Sequence, residues 1–480
     1  MVFSDLFFLF VFIPAFVIVY LLAAAIDRTF AAGADRQVNV AKNAVLVIFS
    51  LIFYAWGEPV YVFLMLASVA VNFAVGLMID SSGDRRRRKA ALVAGLICNL
   101  LILSVFKYLG FFAQVLNDAG ISVAKPGIAL PIGISFYTFQ SISYLIDVYR
   151  RESPVQRRYV DLLLYISMFP QLIAGPIVRY GTVAQEIGGR RVTAGDVSDG
   201  VFRFLIGLGK KVIIANQFSE ISDQFLAGGL DSLSTAGAWV GILAFTMQIY
   251  FDFSGYSDMA IGIGRCLGFH FNENFNHPYC CSSITDFWRR WHMSLGTWFK
   301  EYVYIPLGGS RKGMVRTFLN IFIVWFLTGL WHGASFNFIA WGMYFCFFLL
   351  IEKAGFLKVL GRLPGFISHI YALFVIYAGW LLFAWGDIKG HRVFLKAMAG
   401  MGEAGVNSNA TMYLVMGNIV LLIMLIAGST NIPAKAGTWV CSQSKICRCI
   451  LPPLFVAVIF IISVSYLVNG TYNPFLYFRF

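Results

Sequence analysis

Long apolar segments recur along almost the whole chain of 480 residues, and they limit its possible folds more than any other feature. Because lipid offers no partner to backbone N–H and C=O groups, such segments fold as helices. The sequence therefore predicts an all-α integral membrane protein, a single polytopic domain over 1–480, with about 12 transmembrane helices of roughly 20 residues. The predicted helices lie at 6–26, 43–56, 60–79, 90–106, 129–148, 201–216, 235–251, 317–331, 335–351, 366–386, 411–427 and 451–468.

The composition supports a membrane location. Hydrophobic residues make up 59% of the chain and charged residues 13%, whereas an ordinary soluble domain carries about 25% charged residues. The net charge of +13 could indicate a nucleic-acid-binding protein. The basic residues, however, occupy short loops between apolar segments, as expected for cytoplasmic loops of a membrane protein. We therefore expect the lipid bilayer as a partner, and no nucleic acid.

The segment 160–178 is apolar but contains two prolines, Pro170 and Pro176. Basic loops flank it on both sides. A re-entrant or broken helix fits this pattern better than a continuous span. Such irregular backbone is tolerated at membrane depth only where protein buries it or where it lines a cavity.

The orientation follows from the basic loops, since Lys and Arg concentrate on the cytoplasmic side. Counting back through three helices from the cluster 85–89 places the N-terminus outside. Counting forward through all the predicted helices places the C-terminus outside as well. The basic residues that this topology places inside are Arg150, Arg151, Arg157, Arg158, Arg190, Arg191, Lys353, Lys358, Arg362, Lys435, Lys445 and Arg448. Lys210 and Lys211 lie near the third of these clusters, Arg190 and Arg191.

The region 248–341 concentrates polar and ionisable residues, which are costly at membrane depth and usually functional. His332 follows the apolar run 317–331, so protein must bury it or it must line a cavity. Its ordinary pKa of about 6.5 suits a general base, and Gly333 would let a substrate approach closely. The alternative is a histidine at a helix end that bonds a backbone carbonyl.

A second histidine, His292, lies beside Arg289 and Arg290. Arginine forks bind phosphate and carboxylate groups, so this cluster indicates an anionic or thioester-bearing partner. The alternative is an interfacial cluster whose side chains reach toward water.

Two acidic residues, Asp252 and Asp258, follow the apolar run 235–251. Because buried charges must pair, Asp252 could pair with Arg289 or Arg290. A structural ion pair is the alternative to a role in binding.

Other enzyme classes leave no signature in this chain. There is no G-x-S-x-G or H-E-x-x-H motif, and Gly262 and Gly264 do not form a dinucleotide fingerprint. The glycine-rich run 308–312 lacks the spacing of a P-loop. Nothing resembles a dedicated metal site, so we expect neither a metal nor a bound cofactor.

Several long motifs nevertheless resemble one known family. They are DFWRRWHMSL at 286–295, YIPLGG at 304–309, LWHGA at 330–334, PIGISFYTFQ at 131–140, FPQLIAGPI at 169–177 and PFLYFRF at 474–480. The chain resembles the membrane-bound O-acyltransferases (MBOAT), and is most similar to their bacterial alginate O-acetyltransferase (AlgI-type) branch. That branch includes peptidoglycan O-acetyltransferases, and the D-alanyl transfer protein of teichoic acid synthesis is a close cousin. The resemblance covers most of the chain.

The resemblance implies a fold and a pair of functional residues. The fold would be a ring of helices around a thin centre, with a central funnel and a tunnel to the other side. The protein would lie in the bacterial inner membrane, with both termini periplasmic. His332 matches the essential histidine of the family and His292 its second, supporting histidine. Family members often work with a separate periplasmic esterase-like (SGNH) partner.

We therefore expect an O-acetyltransferase. The donor would be a cytoplasmic acyl thioester, acetyl-CoA or an acyl carrier, and the acceptor a hydroxyl of an exported polysaccharide such as an alginate-like exopolysaccharide, cellulose or peptidoglycan. His332 would act as general base, and His292 would orient or polarise the donor carbonyl. Further candidates for donor binding are Arg289, Arg290, Trp331, Asp252 and Asp258. Two alternatives remain open at this point, a transporter or flippase of lipid-linked sugars and a non-catalytic scaffold for polysaccharide assembly.

Overall fold

The computed structural model describes residues 1–31, 39–226, 233–384, 388–402, 404–470 and 473–474. All regular elements in these ranges are helices, as the sequence predicts. The chain forms two compact units. Unit 1 comprises Met1–Phe204 and Tyr256–Asn272, and unit 2 comprises Leu205–Gly255 and Glu273–Phe480.

The first half of the chain contains twelve α-helices within the described residues. They are α1 (Ile13–Ala31), α2 (Val40–Ala55), α3 (Tyr61–Ser81), α4 (Arg85–Leu103), α5 (Leu109–Asp118), α6 (Ile134–Arg150), α7 (Tyr159–Ser167), α8 (Phe169–Leu172), α9 (Tyr180–Gly188), α10 (Ala194–Gly209), α11 (Asn216–Leu226) and α12 (Thr235–Cys266). Three short π-helical segments adjoin these helices, at Phe8–Phe12, Ser104–Tyr108 and Lys210–Ala215.

The second half continues with eleven α-helices in its described part. They are α13 (Ile284–Arg290), α14 (Met293–Phe299), α15 (Met314–His332), α16 (Phe336–Ile351), α17 (Leu357–Leu360), α18 (Gly365–Ala384), α19 (Ile388–Met398), α20 (Asn409–Gly417), α21 (Ile419–Gly428), α22 (Ile432–Gln443) and α23 (Lys445–Asn469). Two more π-helical segments lie at Lys300–Tyr304 and Glu352–Phe356, and a 3-10 turn at Pro278–Cys280.

Seven helical stretches among the described residues are long and apolar enough to cross a membrane. They are Phe8–Phe30, Tyr61–Ser81, Arg85–Asp118, Thr235–Cys266, Met314–His332, Gly365–Ala384 and Lys445–Asn469. One pair of helices joined at a bend would make an eighth stretch if the pair is counted as one span. The chain is therefore a multi-pass membrane protein, while the count of about 12 spans stays a prediction.

The bent pair consists of α20 and α21, which the sequence predicts as one helix over 411–427. The two helices meet at an angle of 62°. Asn418 lies at the bend, where its side-chain amide donates a hydrogen bond to the Leu414 carbonyl at 2.9 Å. The Asn418 backbone N–H donates to the same carbonyl at 3.2 Å, so side chain and backbone of this residue together cap the end of α20.

The predicted break within 160–178 is present in unit 1. Helix α7 ends at Ser167, Met168 leaves helical geometry with ψ of 113°, and α8 starts again with Pro170 in its first turn. Proline is tolerated there because the first amides of a helix lack intrahelical partners. Every residue of 161–178 is buried, as irregular backbone in a membrane protein requires.

Helix α12 is longer than predicted, because the sequence places its end at 251 and the structure at Cys266. The charges that suggested an end are neutralised inside the protein. Asp252 pairs with Lys211 at 2.8 Å, and Asp258 pairs with Arg203 at 2.9 Å. Paired carboxylates can remain in a buried helix.

Two basic residues that the sequence associates with the cytoplasmic side are buried instead. Lys211 is 2% exposed and also donates to Asn216 Oδ1 and to the Pro474 carbonyl. Arg190 is 3% exposed, and its guanidinium bonds the Leu267 carbonyl among other partners. Lys211 is paired with Asp252 and Arg190 is hydrogen-bonded inside the protein, so neither residue carries information about orientation. Of the terminal motif 474–480, only Pro474 lies within the described residues.

Helices α15 and α16 pack unusually closely in unit 2. A Cβ atom on Gly342 would lie 2.5 Å from the Trp325 carbonyl oxygen, and one on Gly329 would lie 2.5 Å from the Phe338 carbonyl oxygen. Only glycine permits this approach. The contact holds the end of α15, where His332 lies, against α16.

Candidate active site

The candidate site is built around α13 and α14, which follow one another in unit 2. Both carboxylate oxygens of the buried Glu352 accept hydrogen bonds from the first amides of α13, at 2.7 Å from Ile284 N and 2.8 Å from Thr285 N. This cap satisfies donors that a helix N-terminus leaves unpaired. After α13 ends at Arg290, His292 adopts a left-handed conformation, with φ 44° and ψ 52°, and begins α14. Such backbone is uncommon outside glycine and persists where the surroundings enforce it.

Asn274 holds the imidazole of His292 in one orientation. Its Oδ1 atom lies 3.1 Å from His292 Nδ1, 3.2 Å from Ser294 N and 2.9 Å from Ser294 Oγ. Because a backbone N–H can only donate, the asparagine atom that faces Ser294 N must be the carbonyl oxygen. His292 Nδ1 faces the same oxygen and therefore carries a proton. The lone pair of the neutral ring is then on Nε2.

The Nε2 atom of His292 is buried and has no hydrogen-bond partner among the described residues. Burial also lowers the pKa of His292 to about 3, because a charged ring would lose its hydration. The ring is thus neutral near pH 7 and accepts a hydrogen bond at Nε2. This geometry does not support polarisation of a donor carbonyl, which requires a hydrogen-bond donor at that atom.

Trp331 lies near both candidate histidines. Its ring centroid is 5.9 Å from that of His292 and 4.9 Å from that of His332. Phe253 packs against His292 with ring centroids 4.7 Å apart, and Trp341 packs against His332 at 4.9 Å. The structure therefore brings both predicted histidines into one aromatic environment. Aromatic walls exclude water and strengthen electrostatic interactions inside the site.

His332 is the last residue of α15 and is half-buried. The carbonyl end of a helix stabilises a nearby positive charge, which is the charge that an imidazole gains when it acts as a base. A Cβ atom on Gly333 would collide with the Phe338 ring. On that side the glycine allows tight packing, and this contact gives no support to the expectation that it lets a substrate approach.

The two arginines next to His292 differ in their environments. Arg290 Nε donates to Asp286 Oδ1 at 3.0 Å, one helical turn earlier. Arg289 is exposed and forms no ion pair with any described residue. Arg289 is thus the better placed of the two to bind an anionic group.

The expected pairing of Asp252 with Arg289 or Arg290 is wrong. Asp252 pairs with Lys211 in unit 2, and Asp258 pairs with Arg203 in unit 1. Both aspartates therefore take part in structural ion pairs, and their role in donor binding has no support from these contacts. In the described part of the chain, no group of three or more His, Cys, Asp or Glu side chains could hold a metal ion.

Two residues that hold the site together were not among the sequence-based candidates. Asn274 precedes His292 by 18 positions, and Glu352 follows α13 by more than sixty. Neither separation is a helical or strand repeat. The only available signal was the presence of polar residues in an apolar region, which does not identify their partners.

Comparison with known proteins identifies the class of protein that this fold and site define. Residues 150–383 match the model of the membrane-bound O-acyltransferase family. Both candidate histidines fall within that range. The chain belongs to this family and is an acyltransferase, which confirms the resemblance.

Individual relatives narrow the comparison. The chain is 36% identical to the probable alginate O-acetylase AlgI of Pseudomonas putida, over 100% of both chains. It is 38% identical to the protein of the same name from Pseudomonas aeruginosa, over 89% of this chain and 81% of the relative. The peptidoglycan O-acetyltransferase of Helicobacter pylori is 34% identical over 74% of this chain and 73% of its own length.

Proposed function

We propose that the protein is an O-acetyltransferase that moves acetyl from a cytoplasmic thioester to a hydroxyl of an exported polysaccharide. The observation that carries the proposal is the pair of histidines whose rings both lie near Trp331. The similarity to alginate O-acetylases and to a peptidoglycan O-acetyltransferase supports acetyl as the group transferred. Family membership favours acyl transfer over the transporter and scaffold alternatives.

In the proposed reaction, His332 takes the proton of the acceptor hydroxyl as its oxygen attacks the thioester carbonyl. The carbon–sulfur bond then breaks, and the thiolate receives a proton from the imidazolium of His332. An ester and a free thiol result. Histidine suits both proton transfers because an imidazole can accept and release a proton near neutral pH.

His292 serves as an orienting residue in this scheme. Its Nε2 atom accepts a hydrogen bond from an N–H or O–H of the bound substrate, because Asn274 keeps the ring proton on Nδ1. Correct orientation of the reacting groups can remove a large part of the activation free energy. Exposed Arg289 would bind an anionic part of the donor, since the guanidinium fork matches phosphate.

The membrane arrangement is part of the proposal. About 12 spanning or partly spanning helices would form the ring around the site, with both termini on the periplasmic side of the bacterial inner membrane. The basic cluster 85–89 supports this orientation, because cytoplasmic loops are enriched in Lys and Arg. A periplasmic esterase-like partner would pass acetyl to the polymer, unless transfer is direct.

The test is transfer of radiolabelled acetyl from acetyl-CoA in membranes that contain the protein and the candidate polymer. We compare the wild type with His332→Ala and with His270→Ala, whose exposed ring pairs with Glu186. Protein amount in the membrane is matched by immunoblot. Labelling that is lost in His332→Ala and kept in His270→Ala would support the proposal. Equal labelling by all three would refute the role of His332, and no labelling by any in membranes that also contain the periplasmic partner would refute acetyl-CoA as the donor.

A further inference from the structure

Unit 1 contains a group of buried polar side chains that the proposed reaction does not use. Within the described residues, six of their atoms have no hydrogen-bond partner. We call them the unit 1 polar cluster: Tyr54 Oη, Tyr137 Oη, Gln140 Oε1, Ser141 Oγ, Ser167 Oγ and Gln171 Oε1. Each residue is at most 2% exposed. Native structures leave few buried polar atoms unpaired. Six such atoms in one unit therefore need an explanation.

Three of these atoms come from one face of α6. Tyr137, Gln140 and Ser141 occupy positions i, i+3 and i+4, which are neighbours on a helix surface. Tyr137 lies close enough to Tyr54 of α2 for their phenolic groups to interact electrostatically, and both interact with Glu58. Helices α2 and α6 therefore direct polar groups toward a common region.

The other two atoms come from the break between α7 and α8. Ser167 ends α7, and Gln171 lies in α8. The break packs on α2, since Phe169 N donates to Ser50 Oγ at 3.1 Å, one turn before Tyr54. It also packs on the start of α6, because a Cβ on Gly133 would lie 2.9 Å from the Leu172 carbonyl oxygen.

A discontinuous helix inside a membrane protein is a second, independent indication of a binding site. Transporters commonly form their substrate sites where helices are interrupted, and irregular backbone at membrane depth needs a protein or cavity surrounding. The interruption at Met168 is buried and coincides with the polar cluster. The two features have one explanation if a ligand enters here.

The chemistry of the cluster restricts the ligand. None of the six side chains is charged, so a phosphate or a carboxylate buried there would have no counter-charge among them. The amide oxygens of Gln140 and Gln171 can only accept hydrogen bonds, whereas the four hydroxyl groups can donate or accept. The ligand must therefore supply N–H or O–H donors.

We propose that the unit 1 polar cluster binds an uncharged substrate segment rich in amide or hydroxyl groups. This inference rests on the proposed function, whose substrates contain two segments of this kind. One is the amide-bearing pantetheine arm of a CoA thioester, and the other is a neutral sugar residue of the acceptor polymer. Both offer several donors and acceptors along a chain without charge. The same six atoms would recognise either one.

The chain offers matched variants for the test. Tyr137→Phe with Ser141→Ala removes two unpaired hydroxyls and keeps the side-chain shapes. The control, Tyr144→Phe with Ser143→Ala, changes the same residue types on the same helix. The control hydroxyls are already paired, because Tyr144 Oη accepts from Gln156 N at 3.1 Å and Ser143 Oγ donates to the Gln140 carbonyl at 2.9 Å.

Binding is measured on purified protein in detergent as a saturable rise in the thermal unfolding midpoint. The probes are pantetheine, which carries no phosphate, and cellotetraose, a neutral glucan. We expect one probe to bind the wild type and the control, and to bind the Tyr137→Phe, Ser141→Ala variant at least about tenfold more weakly. The probe that binds identifies the source.

Three results would overturn the inference. The first is that neither probe binds, and the second is that both double variants bind the probe equally well. The third is a Tyr137→Phe, Ser141→Ala variant that is more stable than the wild type yet binds the probe and transfers acetyl normally. That result would indicate that the cluster holds buried water only. The assay needs no turnover. Binding that persists when acetyl transfer fails would therefore separate this inference from the proposed function.

Discussion

Replacing Asn274 tests the orientation of His292. The Oδ1 atom accepts three hydrogen bonds, from His292 Nδ1 and from the amide and hydroxyl of Ser294. At a net value of about 1 kcal/mol each, Asn274→Leu should lower the free energy of unfolding by about 3 kcal/mol. It also releases the ring to the other tautomer, which puts a proton on Nε2.

The expected loss of activity is larger than the loss of stability explains. In serine proteases the wrong histidine tautomer lowers kcat by about 10⁴-fold. His292 orients a substrate and is not the proposed base, so we expect a decrease in kcat of roughly 10²–10³-fold for Asn274→Leu. Asn274→Asp keeps an acceptor at the same position and should retain at least about tenfold more activity than the leucine variant.

The assay is acetyl transfer per folded molecule, with the folded fraction measured by size-exclusion chromatography in detergent. The aspartate variant should also shift the pH dependence of kcat, because a carboxylate beside the ring favours its protonated form. Asn274→Leu with wild-type kcat would refute the tautomer argument. So would a leucine variant whose activity falls only in proportion to its folded fraction.

Three further perturbations test other parts of the structure. Lys211→Met should lower the free energy of unfolding by about 3–5 kcal/mol, because it leaves Asp252 buried without a counter-charge. The double variant with Asp252→Leu should recover most of the lost unfolding midpoint, and no recovery would contradict this reasoning. The wild type should lose stability as pH falls below about 6.5, since the unfolded chain then binds a proton that buried His292, with its pKa lowered to about 3, does not bind. His292→Gln should flatten that dependence by up to about 1.4 kcal/mol per pH unit, and equal slopes in denaturation curves from pH 6.5 to 4 would refute it. Gly342→Ala should lower the free energy of unfolding by about 1–3 kcal/mol and should lower kcat by displacing α15. Gly437→Ala, at a position with open space around it, should be neutral or slightly stabilising. Similar effects of both substitutions would contradict the packing argument.

The sequence predicted the helical fold because apolar length and charge placement are local properties. It also predicted the break within 160–178 from two prolines, and the broken helix is present. It was less successful with the end of α12 and with the continuous helix over 411–427. In the first case ion pairs from other helices neutralise the charges, and in the second an asparagine side chain bonds the backbone of the preceding turn.

The candidate site shows the same division. The motif residues singled out His292 and His332, and the structure places them on one tryptophan. The motif residues did not indicate that Arg289 is exposed while Arg290 is paired, or that Phe338 fills the space beside Gly333. These properties depend on which side chains face one another, and sequence separation does not determine that.

By itself, the sequence determined that the chain must cross a membrane by helices and that its ionisable residues concentrate near two histidines. Hydropathy and local motifs suffice for both conclusions. The tertiary structure alone decided that Asn274 fixes the proton on His292 Nδ1, that Lys211 neutralises Asp252, and that the polar cluster of unit 1 lies at a buried helix break. Hydrogen bonds and ion pairs act over about 3 Å, so only the folded chain determines which groups lie within that distance.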